Sequence, residues 1–215
     1  MRNRLGVKWT ALTVISGIAL AALASGNNTA LAGPAGGARF KVDSSQSKMS
    51  IRSSTSGIVA HPRGLATKAI SGMVTFGKNM QPSSVEITVK ANSLKSTDMH
   101  ESASDRQRID SATRDKILEA STYPNIVFKS TKIVPAKPVK GPFSVAVHGK
   151  LTLHGVTRPV VVNTIGALSG NMLRARGTLN INQSDYNITL LSILGGVIRV
   201  NDPVKITFDI VAKKA

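Results

Sequence analysis

Two histidines stand six residues apart in the stretch HGKLTLHGVTRPVVV, residues 148–162, beside Lys150, Thr152 and Arg158. A shared metal ion would require the two imidazoles to meet. On one strand His148 and His154 share a face but sit roughly 20 Å apart at about 3.3 Å per residue, so they cannot bind one ion. The segment is therefore expected to be two strands, with HGVTRP as a hairpin corner of solvated polar groups and Pro159 before or at the first residue of the second strand. His100-Glu101 is not continued to a second histidine, as a zinc-protease helix requires. Ser45-Gln46-Ser47-Lys48 matches S-x-x-K and Ser184-Asp185-Tyr186 resembles S-D-N, but no K-T-G accompanies them. No catalytic residue and no metal site is expected. His61 and Arg63 differ: GIVAHPRGLATKAI, residues 57–70, is expected to hold them in a loop, where a cation could meet the polar end of a ligand at a cavity mouth.

The elements that would position these residues have a period of two. Val85, Ile87, Val89 and Ala91 alternate with Glu86, Thr88 and Lys90, the pattern of a half-buried strand. Phe143, Val145, Val147, Gly149, Leu151 and Leu153 repeat it, as do Leu173, Ala175, Leu179 and Ile181, then Ile206, Phe208 and Ile210. Shorter strands are expected at 38–43, 47–54, 68–76, 126–134 and 160–168, with hairpin turns at LSGN (168–171) and LGGV (194–197). Many antiparallel strands with one apolar parity make an all-β sandwich or closed barrel, and closure leaves no exposed edge. Residues 98–120 break the rhythm. They gather six of the chain's eleven acids, and Ile109, Thr113 and Ile117 recur every fourth residue, so a helical insert is expected, with Ser104 and Gln107 as its capping box. Such a helix either covers a barrel mouth or packs outside it.

Arg2, Arg4 and Lys8 precede the apolar run ALTVISGIALAALA, and ALAG at 30–33 offers a cleavage site after Ala32. A secretory signal is expected at 1–32, followed by a short linker at 33–38 and a single domain at 39–215. An uncleaved anchor would need about 20 uninterrupted apolar residues, and Ser16, Gly17 and Ser25 interrupt this run. No cysteine occurs, which excludes disulfides, thiolate chemistry and lipoprotein anchoring. With 28 basic against 11 acidic residues, the field attracts anionic partners. Aromatics are only 4% of the chain, too few for the stacking platforms of a single-strand binder, so no specific nucleic acid is expected.

YPNIVFKST (123–131), GKLTLHGVTRPVVV (149–162) and DYNI…DPVKITFDIVA (185–212) resemble the YceI-like polyisoprenoid-binding proteins, with weaker similarity from Arg39 to the end. The resemblance implies an antiparallel barrel, lipocalin-like in general shape, exported to the periplasm or beyond, holding an isoprenoid chain in its lumen and catalysing nothing. Gln46 stands where such proteins often have histidine, and Gln183-Ser184-Asp185-Tyr186-Asn187 where they often have Arg-Ser-Asp-Phe-Gly. On parity the lipid contacts are expected at Ile87, Val89, Phe128, Val145, Val147, Leu151, Leu153, Leu179, Ile181, Phe208 and Ile210. The ligand would be an isoprenoid quinone or a polyprenyl phosphate, with no other cofactor. A second reading keeps the basic exterior as the functional surface, docking on anionic membrane or envelope polymers. Oligomeric state is open on this reading. Amino-terminal sequencing of protein from the envelope fraction should begin at Gly33, and an intact Met1 there would identify the first segment as an anchor.

Overall fold

Among the described residues, twelve strands form one antiparallel sheet. They are β1 (Arg39–Val42), β2 (Lys48–Gly57), β3 (Arg63–Thr67), β4 (Ile70–Phe76), β5 (Pro82–Lys90), β6 (Lys95–Ser96), β7 (Asn125–Pro135), β8 (Phe143–Leu153), β9 (Val156–Ser169), β10 (Met172–Asn182), β11 (Ser192–Ile193) and β12 (Ile198–Lys214). This computed structural model describes residues 37–57, 63–78, 80–98, 101–135, 142–190, 192–193 and 198–215. The segment 1–32 expected to be a signal, His61, His100 and the residues 194–197 expected to form the LGGV turn lie outside them.

The sheet closes because β12 pairs with β10 on one side and with β1 on the other, giving the ring β1-β4-β5-β7-β8-β9-β10-β12. Three members of this eight-stranded barrel continue, after a break, as β2, β3 and β6, which pair in the same order. β2 follows β1 along the same edge of β12, so one long strand serves both tiers. The junction falls at Val211. There the Ser47 hydroxyl accepts from the Val211 N–H at 3.0 Å and donates to its carbonyl at 3.2 Å, filling the gap in the ladder left by the turn at 43–47. Asp43 organises that turn. Its carboxylate accepts from Ser45 N–H and Oγ and from Gln46 Nε2, and pairs with Lys213 at 2.8 Å; the lysine above all, then the hydroxyl, holds the acid well below the usual carboxylate range.

The alternation predicted for 143–153 holds residue for residue, with odd positions buried or inward and even ones outward. Other expectations need correction. The strand expected from 68 begins at Ile70, and a separate strand, β3, begins at Arg63. Arg63 is therefore a strand residue; the loop signal came from Pro62, outside the described residues. Pro159 lies inside β9, where β9 has β8 for a neighbour while β10 pairs only from Asn163 onward, so proline faces an unpaired side.

The insert is α1 (Ala103–Ala112), continued by one π-helical turn, Thr113–Ile117. Its cap is Ser102, whose hydroxyl accepts from the Asp105 N–H at 3.1 Å, rather than Ser104 with Gln107. The same S-x-x-acid logic applies two residues earlier, because Ser102 alone has the extended backbone a cap needs. Glu119 in a left-handed conformation, φ 43°, ends the insert.

Ser47 is fully buried and satisfies two backbone groups. Replacing it with alanine should lower unfolding free energy by about 1–3 kcal/mol, whereas Ser45→Ala, exposed in the same turn, should cost less than about 1 kcal/mol; denaturant titration of both variants checks the contrast.

Candidate lipid-binding cavity

The apolar parities converge on a cavity of about 330 Å³ inside the barrel. All eleven residues singled out by parity line it: Ile87 and Val89 from β5, Phe128 from β7, Val145, Val147, Leu151 and Leu153 from β8, Leu179 and Ile181 from β10, and Phe208 and Ile210 from β12. The sequence reading missed the contributions of β2 to β4, among them Met49, Ile51, Leu65, Ile70 and Val74. Met49 and Ile51 carry the alternation, but Ser53 and Thr55 continue it with polar side chains, which weakens the apolar signal of that strand.

One end of the lumen is plugged. Phe40, Phe76 and Phe143 are buried there, with Phe76 edge-on to both partners at centroid distances of 5.3 and 6.5 Å. Toward the middle, glycines make room for aromatic rings. A Cβ on Gly149 would stand 2.5 Å from the Phe128 ring, one on Gly166 2.4 Å from Phe143, and one on Gly177 2.6 Å from Phe208. Each ring occupies space over a neighbouring strand that any larger residue would fill, so it lies along the wall.

The other end carries the helical insert, which does cover the mouth: Ile109, Thr113, Ile117 and Leu118 all line the cavity. α1 buries no residue of its own, so polar contacts hold it down. Asp110 accepts from the Ser96 N–H at 2.6 Å and pairs with Lys95 at 3.4 Å. Arg106 donates to the carbonyls of Asp98 and Glu101 at 3.4 and 2.9 Å. Arg63 bonds to Glu101 and lies 3.4 Å from Asp98.

Arg63 is the one charged residue lining the cavity among those described. Two carboxylates already engage it, so it is not the bare cation expected from sequence. The polar lining near it comes from Ser53, Ser96 and Thr113. His61, its expected companion, lies outside the described residues.

The β8–β9 corner also departs from expectation. It is a hairpin corner, but the His154 side chain is only 10% exposed. Its ring sits edge-on to Tyr123 at 4.7 Å. Its Nδ1 lies 3.2 Å from the Tyr186 carbonyl, which can only accept, so Nδ1 carries the hydrogen. Its Nε2 lies 3.5 Å from the Glu119 carboxylate, at ion-pair rather than hydrogen-bond range. Tyr186 is 1% exposed and its hydroxyl has no partner among the described residues; burial, with Asp185 nearby, pushes the phenol up. Arg158 is the solvated member, bonding the Asp185 carbonyl at 3.0 Å. Among the described residues no three histidines or acids gather as a metal site.

Comparison with known proteins agrees with this architecture. A UPF0312 protein of Vibrio cholerae is 34% identical over 119 residues, which is 53% of this chain and 57% of that one. A UPF0312 protein of Vibrio parahaemolyticus is 31% identical over 134 residues, 56% of this chain and 62% of that one. Each match thus spans less than two thirds of the relative's length. Among solved structures, Burkholderia cenocepacia BcnA superposes with a TM-score of 0.62 at 27% identity, over 80% of this chain and 99% of that one. A polyisoprenoid binding domain from Saccharophagus degradans superposes with a TM-score of 0.59 at 16% identity, over 82% and 98%. The YceI-like domain model matches residues 40–212, and with the closed barrel and its enclosed apolar lumen in place, the chain belongs to the YceI-like domain family.

Proposed function

We propose that this protein holds one isoprenoid chain in the barrel lumen, tail toward the phenylalanine plug and head beneath the helical insert, and stores or carries it without catalysis. The observation that carries this reading is the cavity itself, about 330 Å³ and lined almost wholly by aliphatic and phenylalanine side chains. Burial of a hydrocarbon contributes about 0.8 kcal/mol per methylene, so a few isoprene units bind firmly without any hydrogen bond. The Saccharophagus degradans domain, similar in fold, is a polyisoprenoid binding domain.

The mouth favours an uncharged head, such as a quinone ring, over a phosphate. Arg63 faces Asp98 and Glu101, so its charge is already compensated and an incoming phosphate would meet two carboxylates. Export by the segment 1–32 is part of the same proposal; it would place the carrier beside envelope lipids.

Organic extraction of purified protein followed by mass spectrometry should recover a neutral isoprenoid lipid at near-stoichiometric amount. A phosphorylated lipid would overturn the head assignment, and an empty lumen the whole reading. Adjacent positions on β8 test the geometry independently. Leu151 is buried and faces the cavity, while Lys150 is exposed on the outer face. Leu151→Lys places an ammonium in hydrocarbon at a cost of several kcal/mol and should abolish lipid recovery or folding; Lys150→Leu should leave both nearly unchanged.

A further inference from the structure

The barrel exterior carries a second, unassigned surface. Most of the large hydrophobic residues exposed among the described positions stand on one side of the wall: Val134 on β7, Val161 and Ile165 on β9, and Met172 on β10, with Ile165 63% exposed. Register makes them neighbours of a dense set of cations. Lys129 faces Lys150 directly across β7–β8, Lys132 faces His148 in the next row, and His148 in turn faces Val161. On the other flank Arg176 faces Ile165 and Arg174 faces Ala167. Like charges set opposite each other on a sheet destabilise it, so folding alone gives no reason for the Lys129–Lys150 pair.

Acids compensate this side only in part. Glu86 pairs with Lys129 at 3.0 Å, and one carboxylate, Asp209, serves both Arg174 and Arg176 at 2.7 and 3.0 Å. Lys132 and Lys150 are exposed beside them. The helix end is different, since Asp98, Glu101, Asp105, Asp110, Asp115 and Glu119 all lie there. The positive surplus therefore resides on the wall.

We infer that the outer face of β7 to β10 docks on an anionic phospholipid surface, with Val161 and Ile165 entering the headgroup layer and the flanking lysines and arginines meeting lipid phosphates. An apolar stripe rimmed by cations fits a lipid interface, where apolar burial and electrostatic attraction add. A convex wall has no groove for a peptide. A second copy placed face to face would bring the same cations together, because a two-fold interface is self-complementary.

The test is co-sedimentation of the full chain with phosphatidylcholine vesicles containing or lacking phosphatidylglycerol, at low and high salt, with circular dichroism to confirm folding of each variant. Binding should require phosphatidylglycerol and weaken as salt rises. Lys129→Glu with Lys150→Glu should reduce the partition coefficient at least about tenfold, and Val161→Ser with Ile165→Ser roughly tenfold at unchanged net charge. Lys41→Glu with Lys68→Glu alters charge equally at exposed positions on and beside β1 and β4, away from β7 to β10, and should have a much smaller effect. Equal losses from both charge pairs would overturn the face in favour of net charge alone, as would an apolar variant that binds like the wild type. A dimer in analytical ultracentrifugation that the Val161/Ile165 variant dissociates would assign the face to a second copy instead. Lipid extracted from the same variants should be unchanged, which separates failure of this face from failure of the lumen reading.

Discussion

Everything in this molecule depends on β12 having a partner on each side along its length. It must meet β10 on one edge and both β1 and β2 on the other, and a ladder cannot pass from one strand to the next without stranding a backbone group. The Ser47 hydroxyl supplies the missing acceptor for the Val211 N–H, and it joins the Asp43 N–H on the Val211 carbonyl. Closing the ring removes its edges and leaves inward side chains nowhere to go but the lumen. The break that Ser47 bridges also lets β2, β3 and β6 form a second tier beyond the first. That tier makes the polar-rimmed end, with Ser53, Thr55, Arg63 and Ser96, so the joint that completes the barrel also sets where its mouth lies.

A closed barrel of eight strands can either fill with side chains or hold a ligand. Here the balance is set by where the aromatic mass goes. Three phenylalanines pack against one another at one end, and the rings of Phe128 and Phe208 lie over glycines of neighbouring strands. Larger residues at Gly149 and Gly177 would push those rings inward. What remains in the middle is aliphatic, well suited to hydrocarbon and indifferent to small differences in chain shape. The helical insert closes the other end: α1 is held by ion pairs and carbonyl contacts, while Ile117 and Leu118 after it supply the apolar packing.

The strands that sequence made legible are β5, β8, β10 and β12, whose inward positions stay apolar over most of their length; the period breaks only locally, at the register shifts near Pro82 and between Val200 and Val204, and where Ile210, Val211 and Ala212 are buried in succession. It faded in β2 because Ser53 and Thr55 face inward near the mouth, and it misplaced β3 because Pro62 and Gly64 look like loop punctuation. Cap position was missed for a related reason: Ser102 and Ser104 have the same chemistry, and only backbone conformation distinguishes them. Arg63 lines the cavity, and its neutralisation by Asp98 and Glu101 was illegible because it depends on partners more than thirty residues away. Departures from the family pattern now have local readings. Asn187 adopts φ 55° where a glycine would be at ease, as asparagine does more readily than most residues. Tyr186 adds a hydroxyl that finds no partner among the described residues.

These features meet at one corner. Glu119, His154 and Asn187 are all left-handed without being glycine, at φ 43°, 50° and 55°, and each such residue costs free energy that its surroundings must offset. They are linked: the Glu119 carboxylate faces His154, and His154 donates to the carbonyl of Tyr186, the residue before Asn187. Glu119 terminates the insert that covers the lumen, His154 turns the β8–β9 hairpin, and Asn187 ends the short 3-10 turn 184–186 against β9. Apolar packing joins the same pieces, since Leu118, Leu153, Tyr186 and Ile188 share one cluster. The cover is thus fastened at its carboxyl end by apolar packing of Leu118 beside the His154 corner, and along its helix by the part-buried polar contacts of Asp110, Arg106 and Glu101.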